Sequence, residues 1–209
     1  NTFLARGFSP SRVFVAAPPV DLPDIPENRP EPDPFIISYV GLLEPAKGFH
    51  LLIDAFRKLD RPNTRLWLWG NTGTRSLARY MRQQMAECPR IELKSGSVRA
   101  LGHEKVYGAS SVLVHPSLAD GFGYVVSEAM AAGIPVITTT ATGASEWIED
   151  GVSGFVVAPG DAEAIRERLL QLMDSPALRR DMGQRAREAM RPLTIERMRE
   201  CYRQVLSSL

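Results

Sequence analysis

The chain has 209 residues, 44% of them hydrophobic and 23% charged, and a formal net charge of +1. That is enough apolar material for one sizeable core and excludes a disordered or fibrous protein; the near-neutral balance also lacks the basic footprint of a nucleic-acid binder. No apolar run approaches the roughly 18 residues of a transmembrane span, and NTFLARGFSPSR lacks the charged start and apolar middle of a signal peptide.

The chain begins at Asn1 rather than methionine, so a processed chain or a piece of something longer is expected. SRVFVAAP is a candidate short strand. Residues 18–34 carry seven prolines, which fix φ and remove donors, and they read as an extended, solvated linker. From residue 35 short apolar runs alternate with helix-period segments. Strands are expected at 35–41, 64–70, 90–93, 111–117, 134–139 and 154–159. Helices are expected near 47–59, 74–87, 101–109, 124–132 and 143–149, and three more over 161–173, 176–190 and 194–208. Strands that hardly alternate are buried on both faces, so the pattern implies a single Rossmann-like α/β domain, a doubly wound parallel sheet of about six strands. The division expected is a linker-containing segment 1–34, a sheet domain 35–192 and a terminal helix 193–209. Cys88 and Cys201 make no CxxC pair and no metal-ligand spacing; they read as reduced thiols of a cytoplasmic protein, a disulfide being the alternative.

In open parallel sheets ligands sit beyond the carboxyl ends of the strands, so GLLEPAKG, GNTGT, SGSVRALG, HPSLADGFG and TATGASE are the segments to search. GFGYVV turns from a strand into a helix. There the first-turn amides of Tyr124, Val125 and Val126 would face an anion, although such turns are also common as plain structure. Asp120 and Glu128 flank this turn. Carboxylates only accept hydrogen bonds, so a phosphate is not their partner; a ligand with phosphate in the middle and hydroxyls at each end would satisfy both acids and amides. Taken singly, Glu128 also reads as a charge complementing the helix dipole, and Asp120 as a helix-start signal.

HPSLADGFGYVVSEAMAAGIPVITTTATGASEWIEDGVSGFVV resembles the signature region of the retaining GT-B glycosyltransferases of the GT4 type. The family's two acids, with seven residues between them, fall on Asp120 and Glu128, followed by Ala129-Met130, Gly133-Ile134-Pro135-Val136, Gly143, Glu146, Gly151 and Gly154. YVGLLEPAKGFHLLIDAF resembles the family's first strand and helix, with its lysine at Lys47. The resemblance, covering 35 to about 175, implies a C-terminal domain that binds a nucleoside diphosphate sugar, UDP- or GDP-linked, and transfers a hexose. It further implies that Glu128 accepts from the ribose and that Asp120 meets the donor sugar. Gly121, Phe122 and the amides of Gly123 to Val126 would face sugar and phosphate, and Lys47 would neutralise the departing diphosphate. Gly41, Leu42, Gly70 and Asn71 line the donor cleft by the same likeness, and Val98 and Arg99 would contact the base. No Asp-x-Asp pair is present, so no metal or other cofactor is expected. Residues 1–21, ending in VFVAAPPVD, resemble the tail of the family's N-terminal domain, so segment 1–34 is read as the end of that domain plus the linker, and the rest of the domain is expected outside this chain. The stripe of Ile195, Met198, Tyr202, Val205 and Leu209 would pack on that domain, on this one or on a neighbouring chain. Any peripheral membrane contact would come through the full-length enzyme.

Two departures stand out. Leu42 occupies a position where the family often has arginine, and Asp120 replaces the usual glutamate, reaching about 1.5 Å less. Both keep open a degenerate, non-catalytic binding module; an epimerase of the same fold is a further alternative. A nicotinamide-dependent oxidoreductase would need GxGxxG after the first strand, which YVGLLEPAKG lacks. His115, ending a buried strand, reads as a satisfied core histidine, His50 and His103 as surface residues, and Trp67 and Trp69 as core.

Overall fold

The computed structural model describes residues 2–10, 13–14, 17–20, 25–26, 29–96 and 98–207. The candidate strand at 11–18 falls partly outside these. Six parallel strands form one sheet: β1 (Phe35–Val40), β2 (Thr64–Trp69), β3 (Ile91–Lys94), β4 (Val112–His115), β5 (Val136–Thr139) and β6 (Phe155–Val157). Their order is β3-β2-β1-β4-β5-β6. The chain therefore winds outward in one direction from β1 and then in the other from β4, so the β1/β4 junction is the topological switch point.

The nine helices described are α1 (Thr2–Ala5), α2 (Phe49–Arg57), α3 (Arg75–Glu87), α4 (Val98–Leu101), α5 (His103–Val106), α6 (Tyr124–Ala131), α7 (Ala162–Asp174), α8 (Pro176–Met190) and α9 (Ile195–Ser207). Each face of the sheet carries its own core. On one face Phe49, Leu52, Ile53 and Phe56 of α2 pack with Ile165, Leu169 and Leu172 of α7 on Ile37, Leu66 and Val114. On the other, Val126, Ala129 and Met130 of α6 pack with Ala186 and Met190 of α8 on Leu113 and Val136. Apolar residues three and four apart on these helices supply the stripe, and each large side chain so buried contributes roughly 1.5–3 kcal/mol.

Three expectations are corrected. The single helix expected at 101–109 is two short turns, α4 and α5, because Gly102 sits at φ 84, where no helix can continue. The 143–149 helix is a 3-10 turn, Gly143–Trp147. The proline-rich segment is not solvated throughout: among its described residues, which leave out 21–24 and 27–28, Val20 and Ile25 are buried in the second core, and the Val20 N–H donates to the Leu193 carbonyl at 2.9 Å. Arg187 donates to the Ile25 and Ala132 carbonyls, while Arg179 and Arg180 grip Glu31. Apolar residues among the prolines and an arginine-rich face of α8 tie this segment down.

Candidate functional site

The loops that leave β1 and β4 meet at the switch point. After β1 a 3-10 turn, Pro45–Lys47, leads into α2. The Ala46 carbonyl accepts from the Leu118 N–H at 2.8 Å and from the Ser117 hydroxyl at 3.1 Å, stitching the two loops together. Gly48 permits this approach. Its φ is 70, and a Cβ there would lie 1.8 Å from the Pro116 carbonyl oxygen. The stitched loops bring Lys47 to Asp120, Nζ to Oδ2 at 2.9 Å, and His115 reaches the same oxygen through Nε2 at 2.8 Å. The His115 hydrogen bond, reinforced by Lys47 against the opposing effect of partial burial, holds the Asp120 carboxyl well below the usual carboxylate range. The backbone of Asp120 is fixed as well: its N–H donates to the Ala141 carbonyl at 3.0 Å, and its carbonyl accepts from Gly143 at 3.2 Å.

The helix α6 starts at Gly123, with φ 82 and no side-chain cap. A Cβ at Gly123 would lie 2.4 Å from Thr142 Cγ2, so the turn admits no other residue without displacement. The Val126 amide is not free, contrary to the sequence reading: it donates to the Gly123 carbonyl at 2.9 Å, tightening the first turn. Among the described residues the first-turn amides of Tyr124 and Val125 have no acceptor outside the helix, and the positive end of the helix dipole lies behind them. The Tyr124 side chain is exposed, and its ring leans on Phe122 at 4.9 Å. One turn on, Glu128 is half-buried and its Oε2 accepts from the Tyr107 hydroxyl at 2.6 Å. Asp120 and Glu128 thus frame the N-terminal turn of α6, one from the loop before it and one from within it.

Gly41 and Gly70 lie together at the ends of β1 and β2, where the Gly41 N–H donates to the Trp69 carbonyl at 3.0 Å. Leu42, exposed, and Asn71 line one cavity of about 460 Å³ there, with Leu43, Glu44, Thr74 and Tyr80. Val98 packs against the second core; the side chain of Arg99 lies outside the described residues. A larger cavity, about 590 Å³, sits at the opposite end of the sheet, beside Ser111 and Pro135. Its arginines Arg29, Arg179 and Arg187 are engaged in holding backbone carbonyls, and it is remote from the switch point.

Three residues were missed or misread from sequence. His115 is buried, but it is not a satisfied core histidine: Nε2 serves Asp120, and Nδ1 has no partner among the described residues. Tyr107, fully buried, reaches Glu128. Thr142 closes the loop under Gly123 with its own hydroxyl buried and unpartnered. Unpaired buried polar atoms are rare, and two of the four found here adjoin the Asp120 loop. Their signal in the sequence was position: His115 is the last residue of a strand at the switch point. His50 and His103 are partly exposed on α2 and α5, and Trp67 is half-buried, under the Lys94 ammonium at 4.2 Å. Cys88 is a free thiol. Among the described residues no group of three or more His, Cys, Asp or Glu side chains is placed to hold a metal ion, and no helix is long and apolar enough to cross a membrane.

An all-parallel sheet of this order, with cation, carboxylates and an uncapped helix start gathered where it reverses, defines a doubly wound Rossmann-like domain of the GT-B class. Residues 23–189 match the family model described as glycosyl transferases group 1, and the chain belongs to that family. It is 33% identical over 159 residues to the capsular polysaccharide biosynthesis glycosyltransferase CapM of Staphylococcus aureus, covering 75% of this chain and 41% of that protein. Among solved structures it resembles Anabaena Alr3699/HepE in complex with UDP-glucose, at 26% identity and TM-score 0.74, covering 84% of this chain and 49% of the other. It also resembles sucrose-phosphate synthase from Thermosynechococcus elongatus, at 25% identity and TM-score 0.78, covering all of this chain and 56% of the other. The chain thus spans about half the length of the proteins it matches.

Proposed function

We propose that this chain is the donor-binding domain of a retaining glycosyltransferase that moves a hexose from a uridine diphosphate sugar to an acceptor. The observation that carries the reading is the Lys47–Asp120–His115 cluster at the switch point, next to an α6 start without a side-chain cap. The Anabaena relative was solved with UDP and UDP-glucose, which favours uridine over guanosine as the base.

In this reading Glu128 accepts from the ribose and the Tyr124 and Val125 amides donate to diphosphate oxygens. At rest Lys47 is paired with Asp120. An incoming diphosphate competes for the ammonium and draws it off, and Asp120, still held by His115, turns its released lone pairs to the sugar hydroxyls. As the glycosidic bond breaks, negative charge grows on the leaving diphosphate, and Lys47 stabilises that state more than the ground state. Cation and helix dipole supply this stabilisation without a metal. The free thiol of Cys88 favours a reducing compartment such as the cytoplasm. The acceptor would be presented by an N-terminal GT-B domain or a neighbouring chain.

A second reading, a binding module without turnover, is favoured by Leu42, which places an exposed apolar side chain where the family often carries a second cation. Calorimetric titration with UDP, UDP-sugars and GDP, with and without chelator, tests the first reading. Weak binding of UDP species is expected, about 10 µM to 1 mM, as suits one wall of a cleft. Binding should be indifferent to chelator, weaker for GDP and lost in Glu128→Ala. No binding, or binding untouched by Glu128→Ala, overturns it.

A further inference from the structure

Tyr107 stands outside every role assigned so far. Its ring is fully buried at the end of α5, stacked on His103 with centroids 5.9 Å apart and planes at 16°. Its backbone is pinned at both ends: the N–H donates to the His103 carbonyl at 2.7 Å, and its carbonyl accepts from the Ser110 N–H at 2.9 Å. From this fixed base the phenol hydroxyl reaches across to Glu128 Oε2 at 2.6 Å, a contact between the segment ahead of β4 and the helix after it. Burial first, and the nearby Glu128 charge second, push the phenol far above its ordinary titration range, so it remains a donor at any working pH. A phenol can donate only one hydrogen bond, and this one goes to Oε2. Among the described residues nothing donates to Oε1.

We propose that Tyr107 is a positioning residue for nucleotide recognition: it clamps one oxygen of the Glu128 carboxylate so that the other is presented, in one orientation, to a ribose hydroxyl. The proposal rests on the reading of Glu128 as the ribose acceptor. A glutamate side chain turns about three torsions, and its terminal carboxylate rotates broadly, so an unclamped Glu128 would present its oxygens in many directions. Ordering it in advance removes that entropy from the binding step. Tyr107 thereby sets how strongly the domain distinguishes a ribose from a sugar without hydroxyls, while itself touching no ligand.

The test uses the full chain and two probes, UDP and 2′,3′-dideoxy-UDP, titrated by calorimetry. The unaltered chain should prefer UDP by about 10- to 100-fold, the worth of a hydrogen bond to a charged group. Tyr107→Phe should bring that preference down to within about 3-fold, with affinity for the dideoxy probe unchanged. A general structural defect would instead weaken both probes alike. Glu128→Gln should remove the preference, and Tyr107→Phe added to it should do nothing more. If the unaltered chain binds UDP without any preference, or Glu128→Gln leaves the preference intact, the ribose role of Glu128 fails. If Glu128→Gln abolishes the preference while Tyr107→Phe keeps it, the ribose role stands and the Tyr107 proposal is overturned. A measurement on the unaltered chain serves should the variant not fold. The Tyr107 hydroxyl proton should be visible by NMR as a slowly exchanging resonance that moves on adding UDP and stays in place on adding the dideoxy probe. A resonance equally affected by both, or absent, counts against the clamp.

Discussion

Asp120 receives two hydrogen bonds from cationic or potentially cationic groups on a single oxygen, and that arrangement fixes its protonation behaviour. Its carboxyl is depressed below its ordinary value of 3.8, so the folded chain holds the proton less readily than the unfolded chain does. The stability this contributes is present at neutral pH and disappears only as the solution is acidified past the ordinary carboxylate range. The carboxyl carbon of Asp120, followed by NMR, should therefore stay in its ionised position from pH 7 down to pH ~4. In Lys47→Met the midpoint should rise toward the ordinary value without reaching it, because the His115 hydrogen bond is the larger support. An unchanged midpoint in Lys47→Met would mean that the ion pair at 2.9 Å has no electrostatic weight. The short side chain of Asp120, a departure from the family's usual glutamate, is compatible with this geometry because the backbone is locked by the Ala141 and Gly143 bonds and Lys47 and His115 both come to it.

Between elements, the helices differ in how they begin. Thr74, Asp161 and Ser175 cap α3, α7 and α8 through side-chain oxygens. The two helices that flank the switch point, α2 and α6, begin on glycine and carry no side-chain cap. A cap contributes about 1 kcal/mol to a helix, so its absence at α6 leaves amides open to a ligand at some cost in stability. Asp161→Ala should lower stability by about that amount and leave nucleotide binding untouched. Gly123→Ala should cost about 1–2 kcal/mol from backbone handedness alone, plus the clash with Thr142, and should also remove nucleotide binding. Adding Thr142→Ser, which deletes the clashing methyl, should recover part of the stability but not all of it; thermal melts and titration check both. The contrast also bears on what the sequence revealed. Strand periodicity, the glycine turns and the spacing of Asp120 and Glu128 made the sheet and the site's neighbourhood legible. Tyr107 and His115 were not, because each acts through a partner that becomes a neighbour only when α5 meets α6 or when β4 ends at the switch point. The packing of Val20 and Ile25 was hidden for a similar reason: their anchors, Leu193 and Arg187, lie more than 150 positions away in the sequence.

At the scale of the whole molecule, the proposed function makes the described residues one wall of a cleft, and α9 lies exposed against it. No residue of α9 is buried, and Ile195, Tyr202 and Leu206 are among the most exposed large apolar side chains. On the proposed reading, holding a donor requires only the wall that carries Lys47, Asp120 and Glu128. Transfer also requires an acceptor hydroxyl fixed close to the anomeric carbon, and that positioning is worth several orders of magnitude in rate. Titrated alone, the chain should therefore bind UDP-glucose yet release glucose or transfer it no faster than the uncatalysed background, as followed by product chromatography. Joined to an N-terminal GT-B domain, the same residues should gain turnover, and charges introduced at Ile195 and Tyr202 should suppress that gain. Those same two substitutions should alter the melting behaviour of the chain alone by no more than about 0.5 kcal/mol, because neither side chain is buried in it. Loss of donor binding in the substituted chain would show instead that α9 supports this domain. Full turnover by the chain alone would show that the acceptor is held by the wall already in view.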